Sequence, residues 1–453
     1  MKVHFIAIGG SAMHNLAIAL QKKGYEITGS DDEIYEPSKT RLANFGLLPQ
    51  KQGWNPDLIH EELDAVILGM HAREDNPELK KAKELGLKIF SYPEYLYEQT
   101  KHKTRIAIGG SHGKTTITSM VIHVLNYRGI KFDFMVGAQL ENFDNMVSLS
   151  EESKIAVFEG DEYLSSALDP RPKFLIYKPH IALISGIAWD HVNVFSTFSI
   201  YVEQFKNFIQ SIEHGGQLVY CADDPLVAGI ALTARNDITL FPYYCHPYEI
   251  DGQFADLLDE NKKIPLKIFG KHNMQNIAGA KEICKLLGIN DKQFYEAITK
   301  FKGATKRLQL IGQNKKTSIY LDFAHAPSKV QASIRALKEQ FSSRQLIACL
   351  ELHTFSSLIN DFLQQYYGTM ERADMAYVYF NPHLLEIKRL KPLDAKNVAK
   401  AFSSKHLKVF TDSKTLLNEL RQIDWKDKNL LLMSSGNFDG INFSNLINEL
   451  MPI

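Results

Sequence analysis

The sequence is poor in the features that mark specialised chains. Its 453 residues hold four cysteines, Cys221, Cys245, Cys284 and Cys349, far apart and without a C-x-x-C pair. That spacing argues against a zinc site or a disulfide framework and suits a reducing compartment. No stretch approaches the ~20 apolar residues of a membrane-spanning helix, so no membrane insertion is expected. The strand-like run over 3–8 stops at Gly9-Gly10 and is too short for a signal-peptide core. A cytoplasmic location is expected. Neither sign of charge is in excess, since 52 Lys plus Arg balance 52 Asp plus Glu. Overall charge therefore gives no support to nucleic-acid or anionic-membrane partners. Short-period repeats and low-complexity linkers are also missing.

What is present suits a globular chain with ample core: 45% hydrophobic and 23% charged residues. At about 150 residues per domain the length predicts three domains. Short apolar strands, glycine or polar turns and amphipathic helices alternate throughout, which predicts α/β layers with mainly parallel sheets. The first block runs to about residue 102, with strands over 3–8, 26–29, 65–69 and 88–90. Met13, Leu16, Ala17 and Leu20 recur there at helical spacing. Asp31 follows the second strand, about 20 residues after the glycines, as in a dinucleotide fold. The second block has strands over 105–108, 155–158, 181–185 and 217–220, with helices after Thr115 and over 200–212 and 276–287. Its stretch 237–269 lacks a clear helical period and predicts loops and short strands. The third block starts near Arg307, with strands over 318–321, 346–350, 375–379, 407–410 and 429–433.

The strongest motif is Gly109-Gly110-Ser111-His112-Gly113-Lys114-Thr115-Thr116, between a strand and a helix. Glycines let backbone N–H groups approach a phosphate, and the helix N-terminus directs positive dipole at it. Lys114 can reach the terminal phosphates and Thr115 can place its hydroxyl on Mg²⁺. One departure is Ile108, where the general G-x-x-x-x-G-K-[ST] pattern has glycine. Further along, Phe158-Glu159-Gly160-Asp161-Glu162 ends one strand and Trp189-Asp190-His191 follows another. Strand-end carboxylates are the hard oxygen ligands that Mg²⁺ prefers.

The tighter form G-[ST]-x-G-K-T, Gly110 to Thr115, resembles the Mur ligase family. That family joins amino acids or peptides to UDP-N-acetylmuramate through ATP and Mg²⁺. The resemblance covers essentially the whole chain. It implies an α/β fold of three domains. These are a Rossmann-like UDP-muramyl domain over 1–102, a central P-loop ATPase domain over 103–305, and a Rossmann-like amino-substrate domain over 306–453. It implies ATP contacts from Gly110, Ser111, His112, Gly113, Lys114, Thr115 and Thr116. It makes Thr115, Glu159 and His191 metal ligands, with Lys114, Glu159 and His191 catalytic. Gly270-Lys271-His272-Asn273-Met274-Gln275-Asn276 resembles G-x-H-N-x-x-N, which assigns His272, Asn273 and Asn276 to ATP. Arg307 resembles an arginine that reaches a phosphate from the third domain. Asp322, in Asp322-Phe323-Ala324-His325-Ala326-Pro327, is expected at the ATP ribose, with His325 near the site. Lys206, fifteen positions after His191, has the spacing of a lysine that some members carbamoylate. The favoured branch does not usually have one, and a solvated helix lysine is expected.

The segment Ala7-Ile8-Gly9-Gly10-Ser11-Ala12-Met13 resembles the family's G-x-G-G-x-G-M turn, with Ala7 and Ala12 in place of glycines. Ser11, Asp31 and His71 are the expected substrate contacts. Two branches compete. One adds L-alanine to UDP-N-acetylmuramate. The other attaches the recovered tripeptide L-alanyl-γ-D-glutamyl-meso-diaminopimelate in wall recycling. The segments after Gly160 (through Tyr163 and on to Phe174) and from Met433 to Ile441 resemble the recycling branch, which is favoured. Leu352-His353-Thr354-Phe355-Ser356 is closer to the alanine branch. His353, Ser356 and Asn381 are weak candidates for reading the amine. Two readings of other classes stand beside these. A non-catalytic nucleotide sensor would bind ATP without turnover. An NAD-dependent oxidoreductase would rest on Gly9-Gly10 and Asp31, and it leaves the second phosphate loop unexplained.

Overall fold

Apolar runs of four to six residues, each closed by a glycine or polar turn, form the strands of a computed structural model. It describes every residue except 71, 190–193, 252–253, 261 and 452–453. The chain divides into two units. The first comprises Met1–Ile187, Phe198–Tyr244 and Ala278–Ala297, and the second Ala188–Thr197, Cys245–Ile277 and Ile298–Ile453.

The first unit holds two sheets. Glu26–Ser30, Lys2–Ile6, Ala65–Leu68 and Ile89–Ser91 form a parallel sheet in that order. Val3, Phe5 and Ile6 are fully buried, as expected of parallel strands covered on both faces. The larger sheet runs Thr239–Tyr243, Gln217–Cys221, Ile181–Ile184, Thr104–Gly109, Ile155–Glu159, Asp133–Met135 and Val147–Ser148. Its last pairing is antiparallel and the others parallel. Thr104–Gly109 is central. From it the chain passes to Asp133–Met135 on one side, whereas Ile155–Glu159 leads to Ile181–Ile184 on the other. Such a reversal opens a crevice at the carboxyl ends of the strands. Arg105 lies buried at the opposite end of the same strand. Its guanidinium donates to the carbonyls of Tyr177, Lys178 and Lys101 and to Glu213 Oε1, at 2.8–2.9 Å. Full pairing offsets the cost of burying that charge.

The second unit holds a three-stranded antiparallel sheet, Tyr248–Asp251, Phe254–Asp259 and Lys262–Leu266. This is what the stretch 237–269 becomes, apart from Thr239–Tyr243, which joins the large sheet. The six-stranded sheet runs Gln309–Gln313, Ser318–Asp322, Lys428–Met433, Gln345–Glu351, Met375–Tyr379 and Leu407–Phe410. Only Gln309–Gln313 is antiparallel. That edge strand carries no apolar run and none of its residues is fully buried, which is why the sequence pattern passes over it. Ile319, Ile347, Leu430 and Leu432 pack against Leu416, Leu420, Leu446 and Leu450 of two amphipathic helices. Asp412 and Asn442 cap those helices by accepting from Thr415 N and Asn445 N.

Against the first sheet, Glu78, on the helix Pro77–Glu84, is a buried carboxylate that joins two strands and a loop. It accepts from Ser30 Oγ and Asn55 N at 2.5 Å and faces His4 Nε2 at 3.3 Å. Burial pushes its pKa up, but the bonds from His4, Ser30 and Asn55 outweigh burial and hold it below the ordinary value. Its stabilisation is therefore complete above about pH 4.5 and fades as pH falls through the lower folded value. Glu78→Gln is expected to cost about 1–3 kcal/mol at pH 7. Hydrogen exchange of the Lys2–Ile6 and Glu26–Ser30 amides should quicken accordingly, and the difference from the native protein should shrink towards pH 3.

Candidate nucleotide and metal site

The phosphate loop is shaped by its neighbour strand. Ser111 N donates to Gly186 O at 2.8 Å, and Ser185 Oγ donates to Gly109 O and His112 O. Gly110 has φ +130°, and a Cβ there would run into Ser185 Oγ and come within 3.0 Å of Ser185 N. Gly113, φ +76°, caps the helix Lys114–Tyr127 without any side-chain bond to its first N–H groups. Those donors are oriented for an anion.

At the first turn of that helix two hard oxygen donors meet. Thr115 Oγ1 donates to Glu159 Oε1 at 2.7 Å, and Gly137 N donates to Glu159 Oε2 at 2.6 Å. Gly137 is contributed by the segment after Asp133–Met135, and no sequence signal marked it. Lys114 Nζ donates to Gly110 O at 2.7 Å and to Glu162 Oε2 at 2.6 Å. Burial lowers the Lys114 pKa, but Glu162, Asp161 and Glu159 outweigh burial and hold it above the ordinary lysine value. His112 and Thr116 complete the loop, Thr116 being buried. Asp190 and His191 lie outside the described residues. Among the described residues no group of three or more His, Cys, Asp or Glu gathers to hold a metal. The Thr115 hydroxyl and the Glu159 carboxylate are oxygen ligands of the kind Mg²⁺ takes, alongside phosphates and water. Lys206 Nζ pairs with Glu203 at 3.1 Å on an exposed helix face, as expected of a solvated lysine.

In the first sheet, Asp31 is buried and accepts from Gly9 N at 2.7 Å. One oxygen of this expected substrate contact thus braces the glycine turn. Ala7, standing where the resembled turn has glycine, takes φ +69°, a left-handed conformation strained for alanine. Ser11 is exposed at the start of the helix Ser11–Lys22. Asp32 and Tyr35, near Asp31 in sequence, line a cavity of about 510 Å³ together with Trp54, Met70 and Arg73. His71 lies outside the described residues.

The second unit brings its own candidates together. Asp322 is buried, with Oδ1 accepting from Ala324 N and Oδ2 from Ser333 Oγ, both at 2.9 Å. The Arg307 guanidinium lies 4.7 Å from the Phe323 ring centroid. Gly270, φ +91°, turns the chain so that Asn273 Nδ2 donates to Phe269 O at 2.8 Å and Asn276 Nδ2 to Asn273 Oδ1 at 3.4 Å. Burial lowers the His272 pKa against the opposing charges of Asp322 and Glu339. These electrostatics tie the His272 motif to Asp322. His325 Nδ1 lies 2.8 Å from Phe323 O. His353 sits beside Glu351 at 3.7 Å, and Asn381 Nδ2 donates to Asp439 at 3.1 Å. Ser356 is buried in a short helical turn, Ser356–Leu358.

Comparison with known proteins covers nearly the full length. Residues 2–104 match the Mur ligase family catalytic domain, 108–284 the Mur ligase middle domain, and 306–436 the Mur ligase glutamate ligase domain. A UDP-N-acetylmuramate–L-alanyl-γ-D-glutamyl-meso-2,6-diaminoheptandioate ligase of Escherichia coli is 27% identical over 452 residues, 97% of this chain and 96% of that protein. A UDP-N-acetylmuramate–L-alanine ligase of Caldicellulosiruptor saccharolyticus is 30% identical over 395 residues, 83% of each. The crystal structure of a murein peptide ligase from Psychrobacter arcticus, 23% identical, superposes with a TM-score of 0.69 over 100% of this chain and 99% of that one. No helix among the described residues is long and apolar enough to cross a membrane.

Because Gly110 combines positive φ with no room for a Cβ, Gly110→Ala must displace the loop from Ser185. Isothermal calorimetry is expected to show Mg·ATP binding weakened by at least about tenfold, consistent with ~1–3 kcal/mol of local strain.

Proposed function

Since the chain belongs to the Mur ligase family of ATP-dependent, ADP-forming ligases, we propose that it joins L-alanyl-γ-D-glutamyl-meso-diaminopimelate to UDP-N-acetylmuramate. The observation that carries the ligase chemistry is the Thr115–Glu159 contact at 2.7 Å beside Lys114 on the phosphate loop. The choice of tripeptide is supported by the Escherichia coli relative, matched over 97% of the chain, and by the segments around Tyr163 and Gly436. L-alanine is the second reading, favoured by relatives of similar identity and by the segment 352–356.

In this reading the muramyl carboxylate attacks the γ-phosphorus of ATP. ADP leaves, and the acyl phosphate is attacked by the acceptor amine, releasing phosphate and leaving an amide. Lys114 stabilises charge on the transferring group, and the N–H groups of 110–116 hold the neighbouring phosphates. Thr115 and Glu159, with His191, are the residues that would hold Mg²⁺, which when bound neutralises phosphate charge. His272, Asn273, Asn276, Arg307 and Asp322 are assigned to the nucleotide, and Ser11, Asp31, His71 and His325 to the other substrate. The matched ranges support domain limits of 1–102, 103–305 and 306–453. A cytoplasmic location is part of the same reading.

The test is ADP release with UDP-N-acetylmuramate and either tripeptide or L-alanine. Tripeptide is expected to give the higher kcat/KM, and a preference for L-alanine reverses the assignment of acceptor. ATP binding without turnover on any muramyl substrate would leave a nucleotide sensor instead. Lys114→Ala should lower kcat by about 10²-fold or more.

A further inference from the structure

Three segments of the first unit converge behind the phosphate loop in a closed ring of side chains. Lys114 Nζ donates to Glu162 Oε2 at 2.6 Å. Tyr201 OH donates to Glu162 Oε1 at 2.9 Å, and the same hydroxyl shares a 2.8 Å hydrogen bond with Ser111 Oγ. Ser111 and Lys114 are the two ends of the loop. Glu162 stands three residues beyond Glu159, and Tyr201 comes from the helix Phe198–Gln210. The Glu162 side chain is 1% exposed and that of Lys114 14%. Neither charge is dissolved in water, so each depends on the other.

We propose that Glu162 is a positioning residue that aims Lys114 at the transferring phosphate, with Tyr201 holding Glu162 and Ser111 in register. An ammonium has three donors. Glu162 and the Gly110 carbonyl take two of them, at 2.6 and 2.7 Å. Tetrahedral geometry then fixes the direction of the third, which a phosphate oxygen can accept without breaking the pair. A lysine on four rotatable bonds would otherwise lose entropy at each encounter with the nucleotide.

The alternative is a latch, in which Glu162 competes with phosphate for Lys114. The two readings differ in sign. A latch predicts that Glu162→Gln binds ATP more tightly, whereas positioning predicts slower chemistry at unchanged affinity.

The proposal rests on the ligase reading, so its test begins with a step that needs no acceptor. Mg·ATP binding is measured by calorimetry for the native protein, Glu162→Gln and Tyr201→Phe, and the three should agree within about threefold. With the productive acceptor, kcat should fall about 10–100-fold in Glu162→Gln and less in Tyr201→Phe, while KM for ATP changes less than about threefold. Glu162→Asp, which keeps the carboxylate, should recover most of kcat. An unchanged kcat in Glu162→Gln, or ATP binding tighter than native, overturns the proposal. If Glu162→Gln does not fold, an unchanged kcat in Tyr201→Phe overturns it. An absence of turnover in the native protein would count against the ligase reading and leave the binding comparison intact.

Discussion

Everything at the candidate nucleotide site depends on how closely the phosphate loop approaches the end of the strand Ile181–Ile184. Gly110 lies against Ser185 without space for a Cβ, and Ser111 N is bonded to Gly186 O. This contact fixes the loop's curvature. The curvature sets where the helix Lys114–Tyr127 begins, and that start sets where Thr115 meets Glu159. Gly137 and the strand-end carboxylate then align because Asp133–Met135 pairs directly with Ile155–Glu159. Backbone geometry does most of the placing, and the side chains add charge at points the sheet has already chosen.

The two carboxylates of one short segment take opposite tasks for the same reason. Glu159 points to the threonine hydroxyl and the Gly137 amide, and with that hydroxyl it presents hard oxygens suited to a divalent ion. Glu162 points back into the unit, onto an ammonium and a phenol. Asp161, between them, binds Lys173 Nζ at 2.7 Å. The turn at Gly160 makes this division feasible. A Cβ there would meet Ile108 C and O at 3.1 Å, so the turn lies directly over the loop strand.

Much of this was legible in the sequence. The parallel strands appear as apolar runs because both of their faces are covered, and the phosphate loop appears as glycines before a helix. Edge elements were not legible. Gln309–Gln313 and Val147–Ser148 are held by pairing more than by burial, and pairing partners leave no local pattern. Within the site, Lys114, Thr115 and Glu159 could be named because their chemistry is local to a motif. Tyr201 could not. At helical spacing from Phe205 and Phe208 it reads as one more core aromatic, and its ring does stack edge-on against Phe205. Only its hydroxyl reaches Ser111 and Glu162, and one atom does not alter a hydrophobic period. Asp31 shows the reverse case, a residue named for a ligand that also spends an oxygen on its own glycine turn.

The outward-facing Lys206 has one further consequence. Carbamates form when an amine adds dissolved carbon dioxide, and an enzyme that needs one inherits a dependence on that gas. Here the ammonium lies on the solvent side of its helix, paired with Glu203, and the inner face presents Tyr201 and Phe205 instead. Glu162, behind the phosphate loop, is a carboxylate of the chain itself, a negative charge that no change in bicarbonate can remove.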